Sequence, residues 1–152
     1  MIKRDMTADE HDSYLMHLAR QVGDYKPDVI VGIARSGLPY AAWVAQILNH
    51  KRLGYYNPKT DRLEIGDNEP YSRVVFIDDS VVTGDTYNTL LKRFSNANFE
   101  FRVGAFFTDA DKTSDDIRSQ VLAGVNLDYF ATAIPGIKRV FTEYVRFRDE
   151  SI

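Results

Sequence analysis

The chain has 152 residues, 44% of them hydrophobic and 27% charged, which indicates one globular domain and excludes disordered, collagen-like and coiled-coil proteins. The formal net charge of -3 excludes a protein whose main task is to grip nucleic acid, and no stretch is long and apolar enough to span a membrane. Because the sequence contains no cysteine and residues 1–14 lack a signal-peptide core, we expect a cytoplasmic protein without disulfides or thiolate chemistry.

The first elements predicted along the chain are a helix, a strand and a second helix. Thr7 and Glu10 have the spacing of a capping box, and apolar residues then recur at helical intervals. Residues 28–34 form a short β-branched run that predicts a buried strand. Residues 35–37 break that run, and a helix with Pro39 in its first turn is predicted after them. The apolar face of the first helix consists of Leu15, Leu18, Ala19 and Val22.

The next predicted strands lead to two adjacent acids. Residues 52–57 predict a strand, and the polar segment 57–73 predicts a loop or a flexible hairpin. Residues 73–77 are an apolar run typical of a strand that is buried on both faces of a parallel sheet, and Asp78 and Asp79 follow it directly. The two acids are therefore expected at the carboxyl end of that strand.

The chain continues with a helix, a strand and a tail of different character. Alternation of buried strands and helices predicts an α/β domain whose mostly parallel sheet is flanked by helices, with ligands outside the carboxyl ends of the strands. Residues 99–107 predict the last of these strands, and the aromatic tail predicts two short strands. We expect a single domain over residues 1–152 with a small C-terminal hood at about 127–152. The helix before the last strand has its apolar face at Tyr87, Leu90, Leu91 and Phe94.

The segment 34–37, between the first strand and its helix, is a candidate anion site. Freed backbone N–H groups and the positive end of the helix dipole attract phosphate, and Arg35 can add a charge-assisted hydrogen bond. Gly32 and Gly37 have the spacing of a Walker A loop, but the residues after Gly37 are not Lys-Ser/Thr, which excludes a nucleotide triphosphatase of that class. For this segment alone, a helix start that uses glycine and proline only for geometry remains the alternative.

The segment 78–86 is a more specific candidate. Asp78 and Asp79 repel each other at the end of a buried strand unless a metal ion or a hydroxyl-rich ligand such as a metal-bound sugar lies beside them. Residues 83–86 form a second anion cradle, because Gly84 permits close backbone approach and two threonine hydroxyls can donate to phosphate. The alternative is a solvated acid pair followed by an ordinary helix cap.

Residues 74–86 resemble the signature of type I phosphoribosyltransferases, in which an apolar strand, two acids and a short variable run lead to Thr-Gly-x-Thr. That signature binds phosphoribosyl pyrophosphate (PRPP). Residues 31–41 resemble the family's pyrophosphate loop and following helix, and residues 134–144 resemble its C-terminal hood over the nucleobase. In its length and in the order of these motifs along the chain, the sequence is most similar to the small xanthine-guanine and hypoxanthine enzymes of the family.

The resemblance implies a role for each matched residue. Asp78 and Asp79 would be catalytic, holding the ribose hydroxyls directly or through Mg²⁺, and Arg35 would meet the charge of the pyrophosphate leaving group. Tyr56 would begin a mobile segment that closes over the reaction centre, with Tyr55 as the alternative. The residues implied to contact substrate are Ala34, Arg35, Ser36 and Gly37 at the pyrophosphate, Thr83, Gly84, Asp85 and Thr86 at the 5-phosphate, Tyr56 at the start of the closing segment, and Val82, Thr108 and Phe141 on the base side.

The implied activity is transfer of 5-phosphoribose from PRPP to a nucleobase nitrogen with release of pyrophosphate. A 6-oxopurine salvage enzyme is the first expectation, in a homodimer or homotetramer. Val82 stands where many 6-oxopurine enzymes have an aspartate, and Thr108 or Asp109 stands where they have a lysine that reads the base. Because of these departures, another base such as orotate or uracil remains open. A non-catalytic regulator that senses PRPP or nucleotides remains open as well.

Overall fold

The computed structural model describes residues 6–127, which form four helices and six strands. Within this part of the chain, no helix is long and apolar enough to cross a membrane. In chain order the elements are α1 (Ala8–Tyr25), β1 (Val29–Ile33), α2 (Ala34–Ile47), β2 (Leu53–Asn57), β3 (Arg62–Ile65), β4 (Arg73–Val81), α3 (Asp85–Phe94), β5 (Glu100–Asp109), α4 (Asp115–Gln120) and β6 (Val121–Leu127).

The strands form one sheet in the order β3-β2-β1-β4-β5-β6. Every neighbouring pair is parallel except β2 and β3, which form an antiparallel hairpin. The predicted α/β architecture with a mostly parallel sheet is therefore confirmed. Of the two structures predicted for segment 57–73, a loop or a hairpin, the protein has the hairpin, because this segment contains the turn and the second strand of the β2–β3 pair.

The central strand β4 is apolar on both faces because helices cover both sides of the sheet. Val75 and Ile77 belong to the apolar cluster that includes residues of α1 and α2. Val74 and Phe76 point the other way, into the cluster that includes residues of α3. This alternation is the period of two that a strand imposes on its side chains.

The predicted start of α1 is confirmed. Thr7 is the N-cap, and its side chain and that of Glu10 form both bonds of the capping box. All four apolar residues predicted for the inner face of this helix are buried. In α3, Leu90 and Phe94 are buried as predicted, but Leu91 is 41% exposed, because the helix touches the sheet along a narrower face than was predicted.

Two predicted boundaries are wrong at the edge of the sheet where the acids lie. β4 does not end at Ile77 but continues to Val81, because β5 extends alongside it and pairs Val81 with Thr108. Residues 34–37 are not a loop but the first turn of α2, and Pro39 lies inside that helix. This turn can reach the end of β4 because Gly37 has no Cβ. A Cβ at this position would overlap the Ile77 carbonyl oxygen.

The prediction missed α4 and β6. Gly124 and Asn126 interrupt the apolar pattern of β6. A Cβ at Gly124 would lie 2.7 Å from the Phe106 carbonyl oxygen and 2.9 Å from that of Tyr14, so glycine lets α1 approach this edge strand. The predicted hood, beyond its first residue Leu127, lies outside the described residues.

Replacing Gly37 with alanine should lower the free energy of unfolding by about 2 kcal/mol, because the new methyl group forces α2 away from β4. Chemical denaturation measures this change. Gly66→Ala is the control, because a Cβ there meets no atom within 4 Å, and its effect should stay within about 0.5 kcal/mol. Equal stability of the Gly37 variant and the parent protein would show that α2 does not pack this closely.

Candidate active site

A cleft of about 430 Å³ opens at the carboxyl ends of β1 and β4. Parallel neighbouring strands bring their carboxyl ends to the same edge of a sheet, and the register pairs Gly32 of β1 with Ile77 of β4. The segments that follow the two strands therefore meet there. The residues lining the cleft are Ile33, Ala34, Ser36, Pro58, Asp78, Asp79, Ser80, Val81, Val82, Thr83, Gly84, Asp85 and Thr86.

The two acids are joined to the start of α2 by a serine. Ser36 Oγ lies 3.4 Å from Asp78 Oδ1 and 3.3 Å from Asp79 Oδ1, close enough to donate to either oxygen. Asp78 Oδ1 accepts the N–H of Asp79 at 2.8 Å, and Asp79 Oδ1 accepts the N–H of Ser80 at 2.8 Å. Backbone donors thus fix one oxygen of each carboxylate, and both acids line the cleft.

The acid pair is electrostatically unfavourable by itself. Asp78 is only 8% exposed, and burial together with the neighbouring charge of Asp79 raises its pKa to about 8. Beneath the pair, burial and the charge of Asp79 also raise the pKa of the Tyr40 hydroxyl. A cation bound beside Asp78 and Asp79 would remove this penalty, so the geometry favours a positively charged ligand.

The atoms available at the acid pair suit Mg²⁺. They are carboxylate and hydroxyl oxygens, which are the ligands a hard divalent cation prefers. Residues 6–127 hold no group of three or more histidine, cysteine, aspartate or glutamate side chains that could enclose a metal. Mg²⁺ is commonly bound by one or two carboxylates plus substrate oxygens, so Asp78 and Asp79 fit an ion that shares its coordination with a substrate.

The start of α3 presents backbone donors to the cleft. Its N-cap is Gly84, with φ of 89° in the left-handed region that favours glycine and no side chain to cap the helix, and the Thr83 hydroxyl accepts the Asp85 N–H at 3.4 Å. The first intrahelical donor in this turn is Asn88, which bonds the Gly84 carbonyl at 2.8 Å. Asp85 occupies the first helical position and does not cap it. Donors not used by the helix, together with its dipole, form an anion site.

The start of α2 is a second such site. Ile33 precedes the helix without a side-chain cap, and Ala34 has φ of 51°, which is strained for a residue with a Cβ. Ala34 and Ser36 line the cleft. Arg35 is exposed and does not line it, and Gly37 faces the backbone of β4 instead.

Two other residues predicted to contact substrate lie inside the protein rather than in the cleft wall. Tyr56 is 2% exposed, and its hydroxyl donates to Asp61 at 2.8 Å. Thr108 is 1% exposed, and its hydroxyl pairs with the Asn126 side-chain amide at 3.0 Å. Phe141 lies outside the described residues.

Sequence reasoning missed four residues that line the cleft. Ser80 and Val81 belong to the run that follows the acids, so an extended β4 would have included them. Pro58 carries no local signal, because its position depends on how the β2–β3 hairpin packs against α3. The fourth missed residue is Ile33, the last residue of β1.

Comparison with known proteins identifies the family. No family model matches the chain. The chain is 32% identical over 109 residues to the orotate phosphoribosyltransferase of Lactiplantibacillus plantarum. The matched region covers 68% of this chain and 50% of that protein, so the chain spans about half the length of this relative. It is also similar to the crystal structure of a purine phosphoribosyltransferase from Pyrococcus horikoshii Ot3, at 25% identity and a TM-score of 0.62, over 89% of this chain and 93% of that chain. The chain belongs to the type I phosphoribosyltransferase family.

Family membership confirms the resemblance based on residues 74–86. The fold is also shared with the Helicobacter pylori xanthine-guanine-hypoxanthine phosphoribosyltransferase, at 14% identity and a TM-score of 0.57, over 90% of this chain and 99% of that chain. Phosphoribosyltransferases named for orotate and for purines are both among the relatives, so the finer resemblance to the xanthine-guanine enzymes stays a prediction.

Replacing Asp78 with asparagine should stabilise the ligand-free protein at alkaline pH. The raised pKa means that the folded state binds the Asp78 proton more tightly than the unfolded state, so stability is lost as pH rises from about 4 to about 8. Asparagine carries no such proton, and the variant should melt about 3 °C or more above the parent near pH 8. The difference should shrink toward pH 4. Calorimetric melting of both proteins across this range measures it, and a difference that does not change with pH would contradict the burial penalty.

Proposed function

We propose that this chain transfers 5-phosphoribose from PRPP to a ring nitrogen of a nucleobase and releases pyrophosphate. The observation that carries this proposal is one cleft in which an acid pair lies between the starts of two helices, neither of which is capped by the side chain of its own N-cap residue. PRPP has a matching arrangement, because its ribose hydroxyls lie between a 5-phosphate and a pyrophosphate. The names of the relatives support the same activity.

The start of α3 would bind the 5-phosphate. Thr83 and Thr86 line this end of the cleft and offer hydroxyl donors, and Gly84 leaves the backbone open to close approach. The dipole of α3 adds positive potential. Asp85 opposes the phosphate charge from the same turn, so binding there depends on directed hydrogen bonds rather than on net charge.

The start of α2 would bind the pyrophosphate. Ala34 and Ser36 line the cleft there, and Arg35 at its rim would contribute charge to the leaving group. Directed donors at this position favour the departing pyrophosphate more as its charge develops, which is how such sites lower a barrier.

Asp78 and Asp79 would hold the ribose hydroxyls and Mg²⁺. The residues that line the cleft include three aspartates and neither lysine nor arginine, so a polyanionic substrate needs a cation in order to bind. When bound, Mg²⁺ supplies charge neutralisation to the pyrophosphate. The protein itself mainly positions the sugar between two anchored phosphates, and little covalent chemistry is required of its side chains.

For the base, we propose a 6-oxopurine, which makes the protein a purine salvage enzyme. The support is the purine phosphoribosyltransferase structure, which the chain covers over 93% of its length. Orotate is the second candidate, supported by the curated relative that is 32% identical. Val82 lines the cleft but has no group that can exchange a proton with the base. We further propose that the C-terminal hood, at about 127–152, covers the base and that Phe141 stacks on it.

The proposal is tested by pyrophosphate release from PRPP and Mg²⁺ with hypoxanthine, guanine, xanthine, adenine, orotate and uracil in turn. We expect turnover with one of the 6-oxopurines. Turnover with orotate would overturn the proposed base but retain the activity. PRPP binding without turnover on any base would contradict the proposed transferase activity and favour a non-catalytic regulator that senses PRPP.

Replacing Asp79 with asparagine should lower kcat/KM about 100-fold, because it removes one of the two charges that hold Mg²⁺ and ribose. Steady-state kinetics at varied Mg²⁺ measure the loss. Asp24→Asn removes the same charge from an exposed position of α1 and should keep the parent's kinetics. Equal kcat/KM in the two variants would remove Asp79 from the site.

A further inference from the structure

The turn of the β2–β3 hairpin forms part of the cleft wall. Pro58, in this turn, lines the cleft together with Asp85 and Thr86 at the start of α3. The same three residues also line a neighbouring cavity of about 150 Å³, whose floor includes Tyr56 and Leu90. The hairpin turn and the phosphate end of α3 therefore face each other across both spaces.

Three side chains fasten this turn to α3. Arg93 Nε, in the last turn of α3, donates to both carboxylate oxygens of Asp61 at 2.6 and 2.7 Å. The Tyr56 hydroxyl donates to Asp61 Oδ1 at 2.8 Å. We call this set of Tyr56, Asp61 and Arg93 the Asp61 anchor.

Both partners of Asp61 are themselves fixed. The buried Tyr56 ring packs between Phe76 and Phe94, with centroids 6.0 and 5.2 Å away. The Arg93 guanidinium lies over the Phe94 ring, 5.0 Å from its centroid. The carboxylate of the anchor is thus held by groups attached to the apolar core beneath α3.

The anchor remains charged and intact at neutral pH. The hydrogen bond from Tyr56 and the bond to Arg93 lower the pKa of Asp61, so its carboxylate stays ionised. Burial, and then the Asp61 carboxylate, raise the pKa of Tyr56 to about 12, so its hydroxyl keeps the proton that it donates.

The hairpin needs such a contact because it lies at the edge of the sheet. β3 is the edge strand, has only four residues, and alternates exposed with half-buried positions. Asp61 itself has φ of 54°, a left-handed conformation that a residue with a Cβ rarely adopts. The conformation of the turn therefore depends on the bonds that Asp61 makes.

We propose that Asp61 is a positioning residue, which keeps the hairpin turn against α3 so that Pro58 forms a fixed wall at the phosphate end of the cleft. The segment first expected to be a mobile cover is then a preformed side of the site. This inference rests on the proposed function only in naming PRPP as the ligand. The anchor reduces the ordering required when PRPP binds, and it acts on affinity more than on the chemical step.

The test compares Asp61→Asn with Glu64→Gln. Glu64 forms an exposed ion pair with Arg62 at 2.7 Å in the same hairpin, so its variant loses a charge pair that does not reach α3. Asp61→Asn should raise KM for PRPP at least about fivefold with kcat within about twofold, and Glu64→Gln should change neither. Asp61→Asn and Arg93→Gln each break the same ion pair between Asp61 and Arg93. The KM for PRPP of the double variant should therefore be no higher than that of the weaker-binding single variant.

A second measurement follows the turn without using the reaction. Trypsin cleaves after Lys59, which lies in the turn, and mass spectrometry identifies that cut. Cleavage there should be about tenfold faster in Asp61→Asn than in the parent or in Glu64→Gln. Unchanged cleavage would overturn the anchor, and faster cleavage with unchanged KM would overturn its effect on the site. If the parent turns over no base, the proposed function fails, while the cleavage rates still decide whether Asp61 holds the turn.

Discussion

The repulsion between two carboxylates at the buried end of β4 is the constraint on which the site depends. Asp78 and Asp79 are held side by side by backbone donors, and burial raises the pKa of Asp78 to about 8. A fold selected only for stability would place a neutral residue there. The unfavourable arrangement becomes favourable once a cation and the hydroxyls of a sugar share the space, so the ligand-free protein stores part of the free energy that binding releases.

The parallel sheet creates the surroundings that such a ligand needs. Because β1 and β4 are parallel neighbours, α2 starts beside the end of β4, and α3 starts a few residues further along the chain. Each helix start offers backbone donors for one phosphate. Gly37 and Gly84 make this possible, since a side chain at Gly37 would overlap β4 and one at Gly84 would overlap Ile117. The hairpin turn held by Asp61 closes the side of the cleft next to α3.

Much of this arrangement could be predicted from local patterns. The capping box of α1, the apolar runs of β1 and β4 and the acid pair before Thr-Gly-x-Thr are contiguous signals, and the structure brings Asp78 and residues 82–86 into one cleft. The features that local patterns could not reveal depend on contacts between distant segments. Residues 34–37 form the first turn of α2, and Gly37 in that turn packs on the backbone of β4. Thr108 and Tyr56 are buried because strand pairing sets which face each one occupies, and a sequence pattern does not reveal the register.

The central claim is that the acid pair is completed by a cation that binds together with the substrate. Calorimetric titration of PRPP into the protein, once with excess Mg²⁺ and once with a chelator, tests this most directly. The account predicts binding with Mg²⁺ and at least about tenfold weaker binding without it, since three cleft aspartates then face an unneutralised polyanion. Equal affinity in the two titrations would contradict the claim and would mean that Asp78 and Asp79 bind the ribose without metal.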